Sequence, residues 1–131
     1  MATNGCFDLL HTGHITYLEK AKSLGDYLIV GINGDQSVKN LKGDGRPINN
    51  ELDRARLVAA LECVDAVAIF PETRATRFLE IVIPSLYVKG GDYTIESLDA
   101  GEKEVLLRVN ADIAIVPLIP NKSTTLLISK L

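Results

Sequence analysis

The sequence predicts an α/β protein built on a doubly wound parallel sheet. One observation is a set of short, unbroken apolar runs rich in β-branched residues, the pattern of parallel strands covered on both faces. Another is that stretches with apolar residues every three or four positions lie between those runs, so strands and helices alternate along the chain. Right-handed strand–helix–strand connections then follow, with ligands expected beyond the carboxyl ends of the strands where the winding reverses.

In chain order, a short strand ends at Thr3-Asn4, and Ile15, Leu18 and Ala21 mark the apolar stripe of a helix beginning at Ile15. Gly25 stops that helix, and Asp26 opens the next strand, Tyr27–Ile32. A second stripe comprises Leu52, Ala55, Val58 and Ala59, with Asn50 as its cap and Asp53 as the reciprocal partner. Strands are expected at Ala66–Phe70, Leu86–Val88 and Ile113–Val116, with a helix carrying Val105, Leu106 and Val109 before the last of them. Ser123-Thr124-Thr125 opens a final helix, where hydroxyl side chains commonly cap.

The chain has 131 residues, 47% hydrophobic and 24% charged, which fits a single domain over 1–131 with a sizeable core. A formal net charge of −3 speaks against a general nucleic-acid binder. No apolar run reaches the roughly 18 residues of a membrane span, and with no basic-then-apolar stretch at the start a secretory leader is not expected. The two cysteines, Cys6 and Cys63, form neither a disulfide framework nor a metal spacing, and a cytoplasmic protein is expected. Cys63 reads as packing near a helix end.

The most informative stretch follows the first strand: Thr3-Asn4-Gly5-Cys6-Phe7-Asp8-Leu9-Leu10-His11-Thr12-Gly13-His14. Gly5 and Gly13 permit close backbone approach. His11 and His14 flank a glycine where a helix begins, and a helix start presents N–H groups and partial positive charge suited to phosphate. Imidazole N–H donors there add directed bonds to the same anion. A single histidine at such a place is ordinarily a surface or capping residue. The whole run of strand, glycine, aromatic, His-x-Gly-His and amphipathic helix is more specific. Zinc is the poorer reading, since no Cys, Glu or third His completes a site.

This stretch resembles the signature of the cytidylyltransferase-like nucleotidyltransferases. Four further stretches narrow the resemblance to the branch that adenylylates a heptose 1-phosphate. They are Gly31-Ile32-Asn33-Gly34-Asp35-Gln36-Ser37-Val38, Leu41-Lys42-Gly43 with Arg46-Pro47-Ile48-Asn49, Val88-Lys89-Gly90-Gly91-Asp92-Tyr93, and Ser123-Thr124-Thr125. The resemblance implies a Rossmann-like five-stranded parallel sheet of order 3-2-1-4-5. It implies attack by a sugar-phosphate oxygen on the α-phosphorus of ATP, giving ADP-heptose and pyrophosphate, with Mg²⁺ as cofactor bridging phosphate oxygens and held with few protein ligands, none of them assigned to a residue. A homodimer, and a separate sugar kinase acting in the same pathway, are implied as partners, with neither nucleic acid nor membrane involved.

The resemblance assigns His11 and His14 to the triphosphate, and Lys42, in a glycine-flanked loop, to a mobile positive charge on the phosphates. Asn4, Gly5, Cys6, Phe7, Gly13, Lys89, Gly90, Asp92, Ser123, Thr124 and Thr125 are expected around the nucleotide, with the backbone N–H of Cys6 mattering more than its thiol. Asn33, Asp35 and Arg46 are expected on the acceptor side, Arg46 either gripping a phosphate or forming a surface ion pair. Because phosphoryl-type transfer rests on positioning and electrostatics, the histidines are donors and not nucleophiles.

The chain departs from the family pattern in its abbreviated first strand, in Glu72-Thr73-Arg74-Ala75-Thr76, in Asn110-Ala111 where glycines are usual, and in Asn121-Lys122. Other readings stand beside the leading one: cytidylyl transfer to glycerol 3-phosphate, adenylyl transfer to flavin mononucleotide, an inactive nucleotide-binding regulatory domain, and an α/β interaction module.

Overall fold

The computed structural model describes residues 1–91 and 96–116. Its elements are β1 (Ala2–Gly5), α1 (Thr12–Ser23), β2 (Ile29–Asn33), α2 (Asp35–Lys42), α3 (Glu51–Ala59), β3 (Ala66–Phe70), α4 (Thr76–Val82), β4 (Leu86–Gly90), α5 (Ala100–Arg108) and β5 (Asp112–Val116). All strand pairs are parallel, and the order is β3-β2-β1-β4-β5, the implied arrangement. Among the described residues, no helix is long and apolar enough to cross a membrane.

Alternate strand residues feed two cores. On one face Leu28, Val30, Ile32 and Val88 pack with Tyr17, Leu18 and Ala21 of α1 and Val58 of α3. On the other, Ala2 and Tyr87 pack with Phe78 and Leu79 of α4 and Val105 and Leu106 of α5. β1 is short but paired with β2 along its whole length: Ala2–Gly5 pair with Ile29–Ile32, and the Ile29 N–H reaches the Met1 carbonyl at 3.0 Å.

Several expectations are corrected. α1 starts at Thr12 and not Ile15, because His11 caps it. The strand expected from Tyr27 starts at Ile29, with Tyr27 58% exposed. Lys42 is not in a loop but is the last residue of α2, and the glycine turn follows it, with Gly43 and Gly45 at φ 93° and 85°. α2 and α4 escape the periodicity reading, being eight and seven residues long. On α3, Leu52 is 71% exposed and Ala59 is exposed, while Arg54 is fully buried beside Val58. The Asn50 cap is present, accepting from the Asp53 N–H at 2.8 Å. Asn110 takes φ 60°, a left-handed helix end that asparagine tolerates.

The pairing of β1 is lopsided. It matches β2 over four positions, but its described register with β4 is confined to Ala2 opposite Tyr87. Thr3–Gly5 and Val88–Gly90 therefore diverge toward their carboxyl ends, and two tyrosines bridge the split from opposite faces. Tyr17 of α1 shares a hydrogen bond with Thr3 Oγ1 and donates to the Val88 carbonyl at 3.1 Å. Tyr87 is hydrogen-bonded to Asn4 Oδ1. Burial pushes the Tyr17 pKa up to about 12, with the Thr3 bond opposing the shift, so the bridge persists across the working pH range.

Arg54 organises the loops at this end of the sheet. Its Nε donates to the Asn49 carbonyl at 2.9 Å, Nη1 to the carbonyls of Cys6 at 2.8 Å and Asn33 at 2.6 Å, and Nη2 to Asp35 Oδ1 at 2.8 Å. A buried cation is tolerable only when satisfied this fully. Replacing Arg54 with Leu strands those carbonyls in the interior, and we expect a loss of about 3–5 kcal/mol of stability by urea unfolding. Arg54→Lys should recover little, since an ammonium lacks the planar fork.

Candidate active site

The split between β1 and β4 opens into two cavities, one on each face of the sheet. The first, of about 290 Å³, is lined by Asn4, Gly5, Cys6, Phe7, Asp8, Leu9, His14, Tyr17, Lys42, Arg46, Lys89 and Gly90. The second, of about 420 Å³, shares Asn4, Gly5, Cys6, Lys42 and Lys89 with it and adds Asn33, Leu41, Thr73, Arg74, Ser97, Asp99 and Glu102.

The histidines are placed by helix capping. His11 Nδ1 accepts from the Gly13 N–H at 3.0 Å, and His14 Nδ1 accepts from the His11 N–H at 3.2 Å. The rings approach with centroids 4.0 Å apart and planes inclined by 36°. An imidazole that accepts at Nδ1 carries its proton on Nε2, so the cap selects the tautomer as well as the ring position. For His14, which lines the first cavity, Nε2–H is the remaining donor. Burial above all, reinforced by the nearness of His11 and Lys42, lowers the His14 pKa to about 4. The ring is therefore a neutral hydrogen-bond donor at physiological pH.

The capping has a cost for the simpler anion-site picture. The N–H groups of Gly13, His14 and Ile15 are already bonded to His11, so the helix start offers its dipole and its imidazoles, and not an open row of amides. His11 itself stands behind His14 as the cap and is not part of either cavity lining. Gly13 is buried in the first turn.

Phe7 is buried with φ 49°, a strained backbone for a bulky residue, and its ring lies over Gly5 and 5.6 Å from that of His14. A Cβ on Gly5 would stand 2.9 Å from the Phe7 ring, which requires glycine there. On the opposite wall a Cβ on Gly90 would meet the Tyr17 ring at 3.0 Å. Cys6 contributes its carbonyl to Arg54, and burial outweighs Lys42 and Arg54 to push its thiol pKa up, leaving it protonated.

Asp8 anchors the segment that carries Arg46. Its carboxylate accepts from the Ile48 and Asn49 N–H groups, each at 2.9 Å, and from Arg46 Nε at 2.6 Å. Burial alone would raise its pKa. The backbone bonds from Asn49 and Ile48 and the Arg46 guanidinium outweigh burial and hold the carboxyl below its usual range. Arg46 thus combines an ion pair with a place in the first cavity.

Of the residues expected on the acceptor side, Asn33 lines the second cavity, and its Nδ2 donates to Ser37 Oγ at 2.8 Å. Asp35 is turned to Arg54 and lines neither cavity. Asp92, Ser123, Thr124 and Thr125 lie outside the described residues. Sequence reasoning missed Asp8, Tyr17 and Arg54. It also missed the polar lining of the second cavity: Thr73, Arg74, Ser97, Asp99 and Glu102. The signals available were the four-residue spacing of Asn50, Arg54 and Val58, and the unusual 72–76 stretch.

Comparisons with known proteins bear on the family of the chain. The family model described as cytidylyltransferase-like matches residues 2–129. The chain is 49% identical over 129 residues to the bifunctional protein HldE of a Nitratiruptor species, and 47% identical to that of Geobacter metallireducens. These alignments cover 98% of this chain but 27% and 26% of the relatives, so the chain spans about a quarter of their length. A lipopolysaccharide core biosynthesis protein from Thermoplasma volcanium superposes with a TM-score of 0.71 at 30% identity, covering 90% of this chain and 93% of that one. The pantothenate synthetase of Thermus thermophilus, at a TM-score of 0.64 and 15% identity over 90% of this chain and 55% of its own, shares the fold. The chain belongs to the cytidylyltransferase-like family of nucleotidyltransferases.

Proposed function

We propose that the protein transfers AMP from ATP to a sugar 1-phosphate, D-glycero-β-D-manno-heptose 1-phosphate, releasing pyrophosphate. The observation that carries this reading is the His11–His14 cap, which delivers a neutral Nε2–H donor of His14 to the cavity at the β1–β4 split. Resemblance to the heptose branch, and similarity to a lipopolysaccharide core biosynthesis protein, support the choice of acceptor.

The acceptor phosphate is anionic near neutral pH, with a second pKa of about 6, and needs no protein base. One of its oxygens forms a bond to the α-phosphorus while the bond from that phosphorus to the pyrophosphate oxygen breaks. No proton has to move. The protein's task is to bring two polyanions together and to stabilise charge on the transferring and leaving groups. Lys42 at the end of α2 and Lys89 on β4 line both cavities and supply positive charge where the two substrates meet. His14 directs a hydrogen bond at the triphosphate, and its low pKa keeps it from competing for a proton.

Among the described residues, no group of three or more His, Cys, Asp or Glu side chains forms a cation cage, and the Asp8 carboxylate is fully engaged by its donors. Mg²⁺ would enter with the nucleotide, and phosphate oxygens would supply most of its ligands, a mode usual for this ion. When bound, Mg²⁺ would neutralise phosphate charge.

The deciding experiment measures pyrophosphate release with ATP or CTP against heptose 1-phosphate, glycerol 3-phosphate and flavin mononucleotide. Release with ATP and the heptose is expected, whereas release with CTP and glycerol 3-phosphate alone would overturn the proposal. His14→Ala should lower kcat by about 10²-fold, the scale of losing one transition-state donor, and an unchanged rate would remove His14 from the mechanism. The imidazole of His14, followed by NMR, should titrate near pH 4. Since the fold disfavours its protonated form, its contribution to stability is complete above about pH 6.5 and is lost as pH falls from there towards 4. A midpoint near 6.5 would contradict the burial of the ring.

A further inference from the structure

Resting on that reading of the reaction, we infer that Glu102 and Asp99, at the start of α5, recognise the hydroxyl groups of the acceptor in the second cavity and so select a polyhydroxylated substrate. The cavity has a gradient of chemistry. The lining it shares with the first cavity carries the cations Lys42 and Lys89, and the lining it has to itself carries Asp99 and Glu102 together with Arg74, which is paired with Asp99. A sugar phosphate has the same gradient, an anionic group at one end and a neutral array of hydroxyl donors at the other.

Glu102 is the more telling of the two. It is 5% exposed, yet it lines the cavity. Its Oε2 accepts the Ala75 N–H at 3.2 Å, whereas Oε1 has no donor among the described residues. Among the described residues Glu72 Oε2 is the buried side-chain atom without a partner, so Glu102 Oε1 is open to the cavity and can take a further donor. Asp99 uses Oδ2 to cap α5 through the Glu102 N–H at 3.1 Å, and its Oδ1 lies 3.6 Å from Arg74 Nε at the cavity wall. A substrate hydroxyl donating to either carboxylate makes a charge-assisted bond. An analogue that lacks the hydroxyl forgoes that charge-assisted bond and is held less tightly.

The competing account makes Glu102 and Asp99 purely structural, holding the starts of α4 and α5. The isosteric variants Glu102→Gln and Asp99→Asn retain an oxygen for each of those backbone bonds while removing the charge. Steady-state kinetics with ATP and heptose 1-phosphate, and with glycerol 3-phosphate as the less hydroxylated acceptor, separate the accounts. We expect each variant to raise the KM for the heptose at least about tenfold, with the KM for ATP within about twofold of the parent. The preference for heptose over glycerol phosphate in kcat/KM should shrink by a similar factor. Unchanged acceptor KM in both variants, with normal transfer by the parent enzyme, overturns this inference alone. It is overturned equally if the KM values for ATP and acceptor rise together with a lowered Tm. If the parent protein transfers to no sugar phosphate, the reading of the reaction fails and this inference fails with it.

Discussion

A single buried guanidinium holds together the segments from which the catalytic end of this sheet is made. Arg54 gathers the loop after β1, the end of β2, the first residue of α2 and the approach to α3 onto one planar group. Phe7 and Ile32 pack two of these segments into the core, but apolar burial does not orient the carbonyl groups gathered here. What fixes them is that the charge has been taken out of water and must be met by carbonyl oxygens and a carboxylate in defined directions. Asp8 performs the complementary task for residues 46–49, as an acceptor satisfied by backbone donors and by Arg46. A buried cation and a buried anion, each satisfied chiefly by backbone groups, thus shape a loop region that hydrophobicity alone would leave loose.

In His14, helix capping and the cavity draw on different nitrogens of one ring. Nδ1 of each histidine is committed to the first turn of α1, and for His14 this leaves Nε2 for the cavity. The ordinary expectation that a histidine at a helix start is a cap and the functional expectation that it meets phosphate are therefore compatible. The one secures the geometry of the other. Burial against Phe7, with the nearness of His11 and Lys42, keeps the His14 ring neutral, which suits a donor better than an acid.

The strands were legible because parallel strands covered on both faces leave continuous apolar runs, and Ala66–Phe70 coincides with β3 to the residue. The histidine loop was legible because its residue types and spacing have few other uses. What resisted reading has a physical explanation in each case. α2 is short and polar, with Ser37 and Val38 as its buried residues, too few to show a period. On α3 the inward stripe passes through Arg54, so a reading based on apolar spacing rotates the helix and turns Leu52 inward when it is in fact exposed. A charge that is buried because it is completely hydrogen-bonded cannot be recognised from one sequence, since its partners are carbonyls that every residue possesses. The carboxylates of the second cavity were hidden for a related reason: Asp99 and Glu102 look like the acidic first turn of any helix.

The two cavities belong to different layers of the molecule. The wall bearing His14 and Tyr17 comes from α1, on one face of the sheet, and the wall bearing Arg74, Asp99 and Glu102 comes from the starts of α4 and α5, on the other. The strand ends between them are common property, pinned by hydroxyl bridges on both faces. Sequence drift in the α4–α5 layer can therefore remodel one chamber while the histidine layer keeps its own packing, so the two chambers are free to diverge at different rates.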